Sequence, residues 1–311
     1  MKLEELKSAK PYQISMLHTA GIKTVEALLV RSINEVSVKS GITIEELKDI
    51  YNEAYRLKGF WLTPADKIED VRGPPILLTT GSKELDRITG GGIRSREITE
   101  LAGDFGAGKT QIAMTVIVEA LGQKKERSAI VIDTEDTFRR ERLAGIAEKR
   151  GYDPKDILKR TLVIHVNDSE YFMETLDLLD DTITALNVSL IVVDSIIAPL
   201  RAEYVGREIL WLRQQILNKF LRRLLNLAKV YNLAVVVTNQ VVTSPQATYT
   251  FDLISQKPPT GGPILAHNAN TRLYLRKAEG SLRIARLIDS SWLPEQECRF
   301  RISEKGIEDV E

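Results

Sequence analysis

The chain has 311 residues, 43% hydrophobic and 28% charged, with 43 Lys and Arg balancing 43 Asp and Glu. These are ordinary globular values with material for a sizeable core, and the zero net charge excludes attraction to a polyanion by overall charge, so any nucleic-acid contact must come from local patches. Cys298 stands alone and His18, His165 and His267 are scattered, which excludes a disulfide framework and a thiolate metal site; no apolar run is long enough to span a bilayer, so a cytoplasmic protein with no membrane partner is expected.

Residues 1–58 read as a compact helical module with helices at 3–9, 12–19, 24–29, 33–40 and 44–57. Two turns stand out, Ala20-Gly21-Ile22 leading to an N-cap at Thr24 and Ser40-Gly41-Ile42 leading to one at Thr43. Paired Gly-Ile turns are similar to helix-hairpin-helix motifs, which offer backbone N–H groups to DNA phosphates, but they suit two helix C-caps equally well. Residues 59–76 hold Gly59, Pro64, Gly73, Pro74 and Pro75 and read as a linker. Its apolar Phe60, Trp61, Leu62 and Ala65 are expected to dock, on the same chain or on a neighbour.

From residue 77 to 311, β-rich runs at 98–102, 129–132, 161–166, 190–194, 234–238, 271–276, 283–288 and 298–302 alternate with helical patterns. The main helices are expected at 111–122, 140–150, 171–186 and 208–231. Continuous Val/Ile runs suit strands buried on both faces, hence an α/β fold with a mostly parallel central sheet; the closely spaced later strands suit an antiparallel extension.

The strand at 98–102 leads into Gly103-Asp104-Phe105-Gly106-Ala107-Gly108-Lys109-Thr110, a Walker A loop that opens a helix. Its glycines let several N–H groups aim at one phosphate, Lys109 adds a charge for the β/γ-phosphates, and Thr110 adds a hydroxyl for Mg²⁺. The strand at 190–194 delivers Asp194, followed by Ser195, as the Walker B carboxylate that holds water ligands of Mg²⁺. The strand at 129–132 ends in Asp133-Thr134-Glu135-Asp136 on the same sheet edge. Glu135 is our choice of general base; Asp133 is expected to point inward and Asp136 to cap the next helix. Gln240, after the strand at 234–238, is placed to touch the γ-phosphate, and the long aperiodic stretch 241–263 after it reads as functional.

Together, Thr80-Gly81-Ser82-Lys83-Glu84-Leu85-Asp86, Gly90-Gly91-Gly92-Ile93, the loop ending Lys109-Thr110-Gln111, Ile132-Asp133-Thr134-Glu135, Phe138-Arg139, 201–207, Arg213-Gln214-Gln215, Asn239-Gln240-Val241, Gly261-Gly262 and Leu265-Ala266-His267 resemble the RadA recombinases of the RecA-type strand-exchange ATPases. The resemblance spans nearly the whole chain. It implies a RecA-type P-loop core that uses ATP and Mg²⁺, assembles as a homo-oligomeric filament or ring on single-stranded DNA, and pairs it with double-stranded DNA in the nucleoid. It also implies Glu135 as the water-activating carboxylate, Gln240 as the γ-phosphate sensor, Gln111 beside the nucleotide and Arg142 against the adenine. Asp289 and Pro294 would then reach the nucleotide of a neighbouring protomer. DNA contact falls to two loops, one carrying Arg201, Tyr204, Gly206 and Arg207, the other spanning 241–262 with Lys257. Tyr204 is there to stack on a base. Phe60, Leu62 and Ala65 cover the polymerisation motif.

Four stretches depart from the family pattern. Ser8-Ala9-Lys10-Pro11 stands where the first hairpin carries glycines; Leu62 stands in the polymerisation register with Ala65, leaving Phe60 two residues early; Glu208 and Pro263 replace a loop glycine and a hydrogen-bonding residue. Two other readings therefore stay open at this stage: a recombinase paralogue that regulates filament assembly with weak ATPase activity, and a RecA-fold regulatory ATPase without DNA binding.

Overall fold

A computed structural model describes residues 1–206, 208–241 and 259–310. Arg207 and Lys257, two of the cations assigned to DNA, lie outside the described residues.

The N-terminal module is helical: a 3-10 turn at Leu3–Glu5, then α1 (Pro11–Thr19), α2 (Val25–Val30), α3 (Ile33–Ser40) and α4 (Ile44–Leu57). The helix expected at 3–9 shrinks to that turn, and Pro11 opens α1, where its missing N–H costs nothing. Thr24 accepts from Ala27 N, and Thr43 and Glu46 form a reciprocal capping box. Gly21 and Gly41 both hold left-handed φ, +78° and +74°. The N–H groups of Gly21 and Ile22 bond His18 O and Leu17 O; those of Gly41 and Ile42 bond Ser37 O and Ser40 Oγ. The donors a phosphate-binding hairpin would offer are thus spent inside the chain, and both Gly-Ile turns act as helix C-caps.

The linker is more structured than its Pro and Gly content suggested, with a 3-10 turn at Ala65–Lys67 continuing into α5 (Ile68–Arg72). The core then follows. A small ribbon, β1 (Leu77–Leu78) with β2 (Ile93–Arg94), flanks α6 (Lys83–Ile88). The main elements are β3 (Ile98–Gly103), α7 (Lys109–Gln123), β4 (Ser128–Asp133), α8 (Arg140–Lys149), α9 (Pro154–Arg160), β5 (Thr161–His165) and α10 (Ser169–Ala185). They continue as β6 (Val188–Asp194), α11 (Ala198–Glu203), α12 (Leu210–Tyr231), β7 (Ala234–Asn239) and α13 (Gly262–Asn268). A meander closes the chain: β8 (Thr271–Lys277), β9 (Leu282–Ser290), β10 (Gln296–Ser303) and β11 (Gly306–Asp309).

The sheet has the order β11-β10-β9-β8-β3-β7-β6-β4-β5. From β8 to β5 every pairing is parallel; β9, β10 and β11 add antiparallel strands, as expected. The buried strands serve both faces by alternation. Ile130, Ile132, Ile191, Val193, Val235 and Val237 pack toward α10 and α12. Ala129, Val131, Leu190, Val192, Ala234 and Val236 pack toward α7 and α8.

The N-terminal module shares the first of these cores and is also held by charge. Arg31, the buried C-cap of α2, bonds the buried carboxylate of Asp180 on α10 at 2.6 Å, and Tyr231 donates to the other oxygen at 2.8 Å. Arg223 of α12 grips Glu35 with 2.7 and 2.6 Å bonds from Nη2, while Lys23 and Lys39 pair with Asp181 and Asp177. The residues next to both Gly-Ile turns therefore face the core.

Candidate nucleotide site and nucleic-acid interface

Parallel pairing puts the ends of β3, β4, β6 and β7 on one edge, with Asp133 opposite Asp194 in register. A cleft of about 460 Å³ opens there, bounded by the Gly103–Thr110 loop, Gln111, Glu135, Asp194, Ser195, Thr238 and Gln240. Gly108 enters α7 at φ +106°, and a Cβ on Gly103 would stand 2.4 Å from the Leu275 carbonyl on β8. These positions need glycine for backbone conformation and strand approach respectively. Ala107 is buried, whereas Phe105, also at the cleft, is 94% exposed.

Lys109 Nζ donates to the carbonyls of Gly103 (2.8 Å) and Asp104 (3.0 Å). Burial pushes its ammonium pKa down, and the charges of Asp194, Glu135 and Asp104 oppose that shift. Asp194 accepts from Thr110 Oγ1 at 2.7 Å and from Thr238 Oγ1. Burial raises its carboxyl pKa despite these two hydroxyl donors. A buried carboxylate beside a threonine hydroxyl is a hard-oxygen set suited to Mg²⁺, held directly or through water, and a dication would relieve the desolvation that disfavours the ionised acid.

Glu135 Oε1 accepts from Ser195 Oγ at 2.6 Å and from Gln240 Nε2 at 3.0 Å. Arg201 of α11 donates to Gln240 Oε1. Asp133 is almost fully buried and takes the N–H groups of Glu135, Thr137 and Phe138, fixing the turn that presents Glu135. Asp136 does not cap α8: it stands at φ +52°, and the N-cap is Arg139, with no side-chain cap bond.

Arg142 lies beside the loop, bonding Gln111 Oε1 at 2.8 Å and the carbonyls of Ser303 and Glu304. Asp289 and Pro294 are not brought to this cleft. They are exposed, and the pairing of Asp289 with Arg272, itself opposite Glu100, puts them toward the opposite edge of the sheet.

Phe60 is engaged within its own chain, edge-on to Tyr55 and under the Arg72 guanidinium at 4.8 Å. Leu62 is 90% exposed and Ala65 is also exposed. At the first DNA loop, Arg201 and Gly206 are exposed, but Tyr204 is turned inward. Its ring packs in part on the core and its hydroxyl lies 3.4 Å from Ser169 Oγ. Pro263 sits in the first turn of α13, where an N–H has no intrahelical partner, so helix initiation accounts for this departure.

Sequence reasoning missed Thr238, the second anchor of Asp194, and the buried group in which Glu100 accepts from Asn239 (2.7 Å) and Arg272 (2.5 Å). Polar residues ending the apolar run of β7 were the available signal; their partners depend on strand order.

A P-loop, a buried carboxylate on a parallel strand, and a glutamate tied to a glutamine at the edge of this sheet define a nucleotide-binding P-loop protein with a RecA-type core. The Rad51 family profile matches residues 72–310. The chain is 39% identical to the DNA repair and recombination protein RadA of Aeropyrum pernix, over 99% of this chain and 97% of the relative. It is 38% identical to the RadA of Metallosphaera sedula, covering 99% and 96%, and 38% identical to the meiotic recombination protein DLH1 of Candida albicans, covering 96% and 93%. The chain belongs to the Rad51 family. No helix among the described residues is long and apolar enough to cross a membrane.

Proposed function

We propose that the chain is an ATP-dependent recombinase that assembles on single-stranded DNA, as a filament or ring of like subunits, and pairs it with a homologous duplex in the nucleoid. The observation that carries this reading is the unbroken bond series Ser195–Glu135–Gln240–Arg201, which joins the nucleotide cleft to the segment assigned to DNA. Near full-length similarity to proteins named for recombination supports it.

In this reading the loop N–H groups and Lys109 hold the β- and γ-phosphates, and Thr110 and Asp194 hold Mg²⁺. Held there, the dication would supply neutralisation of the charge developing on the phosphoryl oxygens. Glu135 takes the proton of the attacking water at Oε2, the oxygen left free of the two bonds to Oε1. Gln240 moves with the state of the γ-phosphate, and through Arg201 that movement reaches the DNA face. Asp289 and Pro294 serve a neighbour's nucleotide, and exposed Leu62 and Ala65 dock on that neighbour.

A second reading, a regulatory paralogue, draws on one observation: Phe60 is tied to its own Tyr55 and Arg72. ATP hydrolysis with and without single-stranded DNA tests the first reading. Hydrolysis should rise with DNA, Lys109→Ala should abolish it, and Glu135→Gln should slow it by about 10²–10⁴-fold while nucleotide binding persists. Hydrolysis indifferent to DNA, or unchanged in Glu135→Gln, would remove the proposal.

A further inference from the structure

We propose that Trp211, at the start of α12, is a base-stacking contact for single-stranded nucleic acid. The inference rests on the recombinase reading, which makes nucleic acid the occupant of this face.

Three observations carry it. First, Tyr204 is partly buried against the core, which leaves the 201–206 segment with no fully exposed aromatic of its own. Second, Trp211 differs from the other tryptophans. Trp61 lies under Arg56 at 5.4 Å and Trp292 under Arg94 at 5.5 Å, while Trp211 is the most exposed, at 61%, and has no ring partner among the described residues. In the first turn of α12 its Cα–Cβ bond leans toward the helix N-terminus, that is, over the preceding loop. Val205, in that loop, is 75% exposed.

Third, among the described residues the charge around it favours bases over phosphates. Arg201 is committed to Gln240, and exposed Glu208 approaches Gly206 closely enough that a Cβ there would meet its Oε2 at 3.1 Å. Arg213, two residues beyond Trp211, supplies one cation for the backbone. With few free cations among the described residues of this face, counterion release contributes little there, whereas a flat exposed indole stacks on any base.

The test compares wild type, Trp211→Ala, Trp211→Phe and Trp211→Leu, each checked for folding by circular dichroism. Fluorescence polarisation follows binding to labelled oligo-dT and to the same oligomer with abasic sites, at several salt concentrations. Trp211→Ala and Trp211→Leu should weaken binding to oligo-dT by about tenfold or more. Trp211→Phe should keep most of the affinity. All four proteins should share one salt slope and bind the abasic oligomer alike. Equal affinity of wild type and Trp211→Ala for oligo-dT would overturn the inference and leave the recombinase reading standing. So would an equal loss on the abasic oligomer, or loss of ATP-driven self-association without DNA, which would make Trp211 a contact between copies. Failure of the wild type to bind oligo-dT would overturn both.

Discussion

Replacing Arg31 by Met should release the N-terminal module from the core. The Arg31 side chain is 4% exposed and that of Asp180 9% exposed, and their bond is 2.6 Å. Arg31 also donates to the carbonyls of Ala27 (2.6 Å) and Asp177 (2.7 Å). Met matches the length and keeps the packing, so the loss falls on polar pairing. Asp180 is left in the interior with only the Tyr231 hydroxyl, and removing one partner of a buried pair costs about 3–5 kcal/mol. That is a large fraction of the ~5–15 kcal/mol that holds a typical domain. The Arg223–Glu35 pair remains, so the expected result is a weakened interface with the RecA-type core intact. Urea denaturation should show an earlier first transition, and limited proteolysis should cut faster within 59–76. The double variant Arg31→Met, Asp180→Leu, which removes both charges, should recover most of the loss. An Arg31→Met protein within about 1 kcal/mol of wild type, with unchanged proteolysis, would refute the view that this pair fastens the module.

Leu62→Glu should abolish self-association in sedimentation experiments with ATP while leaving the monomer's melting temperature unchanged, because Leu62 is 90% exposed. Phe60→Ala should instead lower that temperature, since Phe60 packs within the chain. Asp194 gives a pH signature: its folded pKa is raised by burial, so its ionisation opposes folding of the nucleotide-free protein, and stability falls as pH rises through that pKa. Asp194→Asn should therefore melt higher than wild type at neutral pH without nucleotide, yet lose the further stabilisation that Mg²⁺ and ATP give the wild type; melting curves from pH 4 to 8 check both signs.

Features set by local sequence were legible in advance. Glycine spacing and a flanking apolar run specify 103–110, and alternation with strand ends puts Glu135 and Asp194 on one edge. What escaped depends on which distant segments meet. Thr238 reads as the polar end of a strand until β7 is known to lie beside β6. The partners of Arg31 and Arg223 follow only from the docking of α2 and α3 on α10 and α12. The resemblance implies Tyr204 as the stacking aromatic, but its ring packs in part on the core while Trp211 stands exposed. The linker helix Ile68–Arg72 was hidden by Gly73, Pro74 and Pro75, which end it rather than forbid it.

Strand exchange tests the central claim most directly. A labelled strand of a duplex should transfer to a homologous single strand coated with this protein when ATP and Mg²⁺ are present, and a heterologous strand or the Lys109→Ala variant should give no product. No transfer at micromolar protein, or equal transfer by Lys109→Ala, would contradict an ATP-dependent recombinase.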